Sequence, residues 1–545
     1  MAPAGFCAPI RRVRKTPARG ELGALVAIAG ALLVQLAWVP ATNFGGLDEW
    51  LDLELASRGV VAVPYAYRPL GLVWAVPPAL LVPVVGFAAF RWFYALYALL
   101  SAMLVFGIVR RLLPERTWLA LLTACFSVAW APGDMARLST VDGALYQGIA
   151  FGTLLAVGFL VEAWHRQSTA LFGASVLLAF LAIRCYEGGI LFLAFAPALL
   201  LASQERSRRF WIWTWVWELV VGCAAAFVLL EMSVSAGQAG YQLSYIGLDP
   251  DPLGWAGRLL RQYSLHLAPL VTSAAREMLR PPVVVAVVGA VVGIVIAGRA
   301  KSPWNAERRL LAVTATFGLV LGGLGYSLVL WGWRAPTAYR LQFLSGPGIA
   351  LFLASLVLLA ASLIRGRERL AVAVLAALVV ARGTGRTIAM QAEWDSITRQ
   401  PRQMRMLSAL VRVVPGVTPH TLLVVLDVGS AWQGAFSFHH AVQYLYERRA
   451  AGFVPLRSDT LYMASPAPEG IRFEPWPSVR QAWDAGRTVY GYHEIVVVRH
   501  TSMGDVVVLD SWPAELKPLP AGARYAPRDR IASVPPPKRA EILTR

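Results

Sequence analysis

This chain is poor in charge. Only 15% of its 545 residues are Asp, Glu, Lys or Arg, and the acidic sign is the scarcer, 32 residues against 50 basic. Soluble domains carry about 25% charged residues. The shortfall comes with 57% hydrophobic residues and a mean hydropathy of +0.55. It excludes an ordinary soluble protein and points to a polytopic membrane protein. Cysteine is also sparse: Cys7, Cys125, Cys185 and Cys223, with none beyond residue 223. That excludes a disulfide framework and any Cys-x-x-Cys metal site. Basic residues are not interleaved with aromatics along a helix, so the net charge of +18 does not mark a nucleic-acid surface. In membrane proteins Lys and Arg collect in cytoplasmic loops, and part of the excess can serve a phosphate-bearing ligand. No solenoid-type repeat occurs.

What the chain does have is apolar runs close to the roughly 20 residues that cross a bilayer. They fall near 21–40, 70–89, 91–109, 117–131, 144–163, 169–183, 187–203, 211–231, 282–298, 309–330, 344–364 and 369–382. The first is too long for a signal peptide and no small-residue cleavage site follows it. It reads as a retained span behind the basic tail Arg11, Arg12, Arg14, Lys15 and Arg19. The run at 70–89 holds Pro77, Pro78 and Pro83, which interrupt a helix. If it does not span, the connectors with Arg110-Arg111, Arg206-Arg208-Arg209, Arg299-Lys301, Arg308-Arg309 and Arg365-Arg367-Arg369 all fall on one side. That is the cytoplasmic side by the positive-inside rule. The expectation is therefore a mainly α membrane protein with 11 transmembrane helices and an outer juxtamembrane helix, N-terminus in the cytoplasm and C-terminus outside. A bacterial inner or plasma membrane is the expected location.

The domain reading has three parts: a basic tail at 1–20, a transmembrane domain at 21–382, and an extracytoplasmic α/β domain at 383–545. The outer loops of the second part are 41–90, 132–143, 232–281 and 331–343. In the third part Leu422–Leu426, Ile495–Val498 and Val506–Leu509 read as buried strands, Ala441–Arg449 as helix, and the Pro535-Pro536-Pro537 tail as extended.

This orientation gathers the unusual ionisable groups at one membrane face. Asp48, Glu49, Asp52 and Arg68 fall in the first outer loop, and Asp134, Arg137 and Asp142 in the second. Arg184 and Glu187 flank the third, Arg334 and Arg340 the entrance of the tenth span, and His266 the long loop. Carboxylates at a membrane mouth are costly to desolvate and usually serve a function. The plainer alternatives are an N-capping acid pair for Asp48-Glu49, a helix cap for Asp142, an Arg184–Glu187 ion pair and a snorkelling Arg340. His439-His440 reads as a pair on opposite faces of a strand. Trp211, Trp213, Trp215 and Trp217 read as an interfacial belt.

The acidic pair after span one resembles the first-outer-loop motif of the GT-C glycosyltransferases, closest to the protein mannosyltransferase and aminoarabinose transferase branch. Tyr67-Arg68-Pro69-Leu70 is similar to that branch's Pro-Pro-Leu element, with Arg68 in place of the first Pro. Ala136-Arg137-Leu138 with Asp142-Gly143-Ala144-Leu145 resembles the stretch before its fourth span. Arg184–Gly189 stands where its Lys element is expected, and Tyr339-Arg340-Leu341 with Pro347 is similar to its Arg-Tyr element. The resemblance covers residues 20–365 in order. It implies an inverting glycosyltransferase that takes a hexose or pentose from a polyprenyl-phosphate donor. The acceptor would be an extracytoplasmic glycan, lipid or protein. Asp48 is then the base, Glu49 its orienting neighbour, and Asp142 the carboxylate that positions the acceptor. Arg340, Arg184, Arg137, Arg68, Glu187 and Arg334 are the donor-binding candidates, since Arg offers bidentate donors to phosphate. A divalent cation is the cofactor such a site can use, with Asp48, Asp142 and His266 as candidate ligands. A flippase for a lipid-linked sugar and a non-catalytic assembly protein are the competing readings.

Overall fold

The computed structural model describes residues 18–40, 43, 44, 48–63, 68–203, 207–235, 251–272, 308–332, 342–364, 366–428, 431, 432, 435–455, 462–475, 488–532, 539 and 543. Helices α1 (Ala18–Leu36), α2 (Glu49–Ala56), α3 (Val76–Val85), α4 (Ala88–Leu112) and α5 (Thr117–Ala129) come first. A 3-10 turn, Met135–Leu138, leads into α6 (Val141–Arg166) and α7 (Thr169–Cys185). Residues 187–203 form an irregular helical path that includes α8 (Ile190–Ala194). Then follow α9 (Arg208–Ser235), α10 (Pro252–Leu267), α11 (Arg308–Gly332), α12 (Gln342–Ala361) and α13 (Glu368–Thr398).

Six of these helices are long and apolar enough to cross a membrane: α4, α6, α9, α11, α12 and α13. Shorter apolar helices stand at 23–36, 117–129, 169–185 and 187–201. Large apolar side chains project outward along the bundle, as at Leu33, Leu177, Trp215, Leu219 and Leu356, which suits lipid rather than water as solvent. The Trp run on α9 splits: Trp211 and Trp215 face outward, while Trp213 and Trp217 are buried.

Bonds at the helix ends fix the directions. Arg111 pairs with Glu162 at 2.9 Å and Arg209 Nη1 donates to Gln167 Oε1 at 3.1 Å. The ends of α4 and α6 and the start of α9 therefore share one end of the bundle. At the other end Arg91 Nη1 donates to the Arg137 carbonyl at 3.0 Å, and Gly133 N to Gln342 Oε1 at 3.0 Å. Arg386 Nε donates there to the Pro132 carbonyl at 2.9 Å. Arg111 and Arg209 thus lie at the bundle end opposite the 132–138 loop. The 70–89 run does not form one span. It holds the ten-residue α3 with Pro83 inside, and the Trp74 indole before it wedges against α6. A Cβ added at Gly148 would stand 2.4 Å from Trp74 Cβ, so only glycine leaves room there. The 282–298 run lies outside the described residues.

The last segment is an α/β domain: α14 (Gln400–Val413), β1 (Thr421–Asp427), α15 (Ala435–Leu445), β2 (Ala450–Phe453), β3 (Tyr462–Ala467), β4 (Gly470–Pro475), β5 (Val489–Tyr490), β6 (Ile495–His500) and β7 (Val506–Val508). The main sheet runs β2-β1-β6-β7, with β1 parallel to β2 and β6 and with Val424 opposite Val497. All seven β1 residues are buried, which is why the strand reads as an unbroken apolar run. A smaller antiparallel sheet, β3-β4-β5, stands beside it. His439 and His440 lie on helix α15, not on a strand. The predicted domain boundary at 382/383 falls inside α13, which continues to Thr398. Gly383 packs so closely on α5 that an added Cβ would lie 2.1 Å from the Ala129 carbonyl oxygen.

Candidate active site

A cavity of about 50 Å³ opens where the first loop meets the start of α6. Asp48, Asp52, Val63, Arg68, Tyr146, Ile149, Cys185 and Tyr186 line it. Asp48 stands at the N-cap position of α2 without a side-chain cap hydrogen bond, with Glu49 and Asp52 in the first turn, where a helix N-terminus favours acids. Asp52 is one turn further along, so both carboxylates lie on one helix face. Arg68 lines the same cavity. Its Nε donates to Glu187 Oε2 at 2.8 Å, its Nη2 donates to Glu187 Oε1, and its guanidinium lies 4.7 Å from the Tyr186 ring centroid. The cavity therefore holds two carboxylates against a guanidinium aimed by a bidentate partner and an aromatic face.

Hydrogen bonds between loops hold this mouth in shape. Glu49 is fully buried and accepts from Ser139 Oγ and from Val141 N at 2.9 Å. It binds the first loop to the amino end of α6, where a carboxylate is favoured. It is turned away from the cavity that its neighbour lines. Asp142 is buried in the first turn of α6, and its backbone N donates to Ser139 Oγ at 3.1 Å. The Glu49–Val141 bond thus ties the chain next to Asp48 to the chain next to Asp142, but Asp142 is not among the residues that line the cavity. Asn43 adds bonds to the Leu138 carbonyl at 2.8 Å and to Gln391 Oε1 at 3.0 Å. Arg91 reaches the Pro40, Arg137 and Leu138 carbonyls.

Other predicted residues go elsewhere. Arg184 does not pair with Glu187; its Nη2 reaches Glu231 Oε1 at 3.1 Å on α9, and its guanidinium lies 4.8 Å from the Phe227 centroid. Glu187 is the partner of Arg68 instead. The short helical spacing of the pair is broken because α7 ends at Cys185. Arg137 lines a second cavity, of about 40 Å³, with Tyr94, Ser101, Asp134, Gln147 and Gln342, and it donates to Thr387 Oγ1. Burial pushes the Asp134 carboxyl up to about 6 against the pull of Arg137. His266 lies in neither cavity. It is buried beside Tyr326, whose hydroxyl meets its Nδ1, and burial pushes its imidazole down to about 3. No group of three His, Cys, Asp or Glu suited to a metal occurs among the described residues, so His266 does not join Asp48 and Asp142 as a ligand set. Arg334 and Arg340 lie outside the described residues.

Sequence reasoning left Asp52, Tyr146 and Tyr186 out of the site. The four-residue spacing from Asp48 was the signal for Asp52. The tyrosines gave none, because nothing local says which face of a span meets a cavity.

No protein-family model matches the chain, and no curated protein does. Solved structures give distant likenesses. One is the archaeal oligosaccharyltransferase AglB from Archaeoglobus fulgidus, solved with an inhibitory peptide and a dolichol-phosphate. It aligns at a TM-score of 0.44 and 15% identity over 80% of this chain and 64% of that one. The chain thus spans less than two thirds of that protein. Another is ArnT from Cupriavidus metallidurans bound to undecaprenyl phosphate, at a TM-score of 0.41 and 14% identity over 88% of this chain and 93% of that one. These values describe the course of the chain and fix neither ligand nor reaction.

Proposed function

We propose that this protein is a membrane glycosyltransferase of GT-C type that moves a sugar from a polyprenyl-phosphate donor to an extracytoplasmic acceptor. The observation that carries this reading is the cavity joining Asp48, Asp52 and Arg68 at the bundle end away from the basic connectors. Asp48 takes the proton of the acceptor hydroxyl as its oxygen attacks the anomeric carbon from the face opposite the phosphate. The bond from that carbon to the phosphate oxygen breaks, the electron pair leaves with the lipid phosphate, and the configuration inverts. Arg68 supplies positive charge toward the departing phosphate. Arg340 is a further candidate for that role. Asp142 positions the acceptor side of the mouth. Asp48 and Asp52 have the oxygen chemistry that would hold a divalent cation there. Such an ion would neutralise charge on the phosphate.

The test is to incubate the purified protein with a panel of radiolabelled polyprenyl-phosphate sugars and follow donor consumption. Asp48→Asn is expected to lower turnover at least about 100-fold, the lower range for a positioned base, while insertion and folding persist. Full turnover in that variant would remove Asp48 from its role. Movement of intact donor across a proteoliposome bilayer, with no bond broken, would replace the enzyme by a flippase.

A further inference from the structure

The helix that carries the candidate base has a second face, and that face belongs to the C-terminal domain. Successive residues of an α-helix turn by about 100°, so Asp48 and Asp52 share one side of α2 while Trp50 and Glu54 share the other. On that other side Trp50 is fully buried. Its ring stacks on Phe44 at 4.6 Å and lies 6.3 Å from Tyr444 of α15. Glu54 is also fully buried. Its Oε1 lies 2.9 Å from Arg58 Nε, its Oε2 accepts from Arg58 Nη2 at 3.1 Å, and its Oε1 accepts from Arg448 Nη1 at 3.1 Å.

Arg448 arrives there by an unusual backbone. Glu447 and Arg448, just after α15, have φ of 50° and 64°, the left-handed region that residues with a side chain rarely occupy. Two in succession hold the Arg448 side chain against α2. Local strain of this kind persists only where the surroundings over-determine it, and it clusters at functional positions. A buried ion pair is a weak source of stability. What it supplies here is direction: an apolar contact tolerates rotation of α2, whereas a carboxylate held by Arg448 from another element fixes the rotation; Arg58, on the same helix end, only orients the carboxylate.

We propose that the C-terminal domain is the positioning device of the site, with Arg448 and Glu54 setting the rotation of α2 and so the aim of Asp48 and Asp52 into the cavity. This rests on the reading of Asp48 as the base. Arg448 and Glu54 touch no substrate; they act through α2. Loss of the clamp should therefore lower kcat and leave the donor KM in place.

The experiment uses the full chain in nanodiscs, with Arg448→Met, Glu54→Gln, their double variant and the conservative Arg448→Lys. Expected for Arg448→Met is a fall in kcat of about tenfold or more, the scale of a small misplacement of reacting groups. Donor KM should stay within about twofold, and hydrogen exchange should rise in residues 49–56 but not in β1. Arg448→Lys should recover most of the kcat, because a single donor reaches Glu54, and it serves if the methionine variant does not fold. The double variant should be no worse than the worse single one. An unchanged kcat with unchanged exchange in α2 would overturn the clamp, as would a rise in KM at constant kcat. If Asp48→Asn keeps full turnover, the base assignment fails by itself, and the exchange measurement still decides whether Arg448 holds α2.

Discussion

Among the described residues two large hydrophobic cores stand out, and they differ in what they bury. The bundle core, built from α1, α4–α7, α9 and α11–α13, buries hydroxyls that bond back to their own helices. Thr123 Oγ1 donates to the Leu119 carbonyl at 2.7 Å, Ser175 Oγ to Phe172 at 2.7 Å, and Thr153 Oγ1 to Ile149 at 2.9 Å. The domain core, built on β1, β6 and α15, buries ionisable side chains: Glu54, Asp427, His439, His440 and His500. Asp427 is held below the usual carboxylate range by His500 and by the Trp432 and Ala431 amides, against burial. A bundle in lipid has no water to rescue an unpaired charge, so along its spans it buries hydroxyls that satisfy themselves, and its buried charged groups, Asp134, Arg137, Asp142 and Arg184 among them, stand in loops or in the end turns of helices. The domain core closes Glu54 against Arg448 and Asp427 against His500. The division does not follow the chain: Trp50, Leu53 and Leu55 of α2 pack in the domain core, although α2 stands between two membrane segments. The candidate base therefore sits at the start of a helix that the C-terminal domain holds.

Acid should break the two cores apart. Burial pushes His439 down to about 3, with Arg448 adding to the effect, and burial, His439, Arg448 and Arg58 push His440 well below its ordinary range. An unfolded imidazole titrates near 6.5, so the unfolded chain takes up protons first as pH falls. The stability is present in full above that value and is lost as pH falls toward the folded one. The loss approaches about 1.4 kcal/mol per pH unit for each imidazole, or about 2 kcal/mol from His439 by pH 5. Hydrogen exchange from pH 7.5 to 5 should speed up in residues 435–445 while α6 and α12 keep their protection. His439→Gln should flatten the slope. An equal slope in wild type and variant would remove the histidine from the explanation.

Much of this architecture is legible in the sequence because membrane spans and buried parallel strands both announce themselves as apolar runs. The α1, α4, α6 and α12 segments match runs of spanning length, and β1, β6 and β7 match LLVVL, IVVV and VVVL. Prolines marked the non-spanning α3. What the sequence withholds is side-chain direction across distance. Arg184 chose Glu231, 47 residues away, over Glu187, and Arg68 chose Glu187, 119 residues away. Only the packing of α7 on α9, and of the first loop on the 187–189 turn, decides those pairs. Glu54 carried no signal either, because its partner Arg448 lies 394 residues away.

A change in the bundle core alone should leave the domain core intact. At Gly383 of α13 an added side chain meets the Ala129 carbonyl, a backbone atom that cannot swing aside. Gly383→Val is expected to destabilise the bundle by about 1–3 kcal/mol, the scale of overpacking. The melting transition of the bundle should shift down while exchange in β1 and β6 stays as it was. A parallel loss of protection in β1 would show that the two cores unfold as one unit.

Glu49 tests the seam between them with the smallest effect. Its carboxylate accepts from Ser139 Oγ and Val141 N at the amino end of α6, and it faces away from the cavity that Asp48 lines. Glu49→Gln keeps an acceptor oxygen of the same reach but loses the charge that favours both bonds and the helix terminus. The expected cost is about 1–2 kcal/mol in thermal stability. Turnover per folded molecule should stay within about threefold of wild type, far from the loss expected for Asp48→Asn. Adjacent residues on one helix start would then differ in kind, one anchoring the mouth and the other acting in it. A loss of turnover at Glu49 as deep as at Asp48, with stability unchanged, would instead make the two carboxylates a single catalytic pair, and the cavity would have to be redrawn around both.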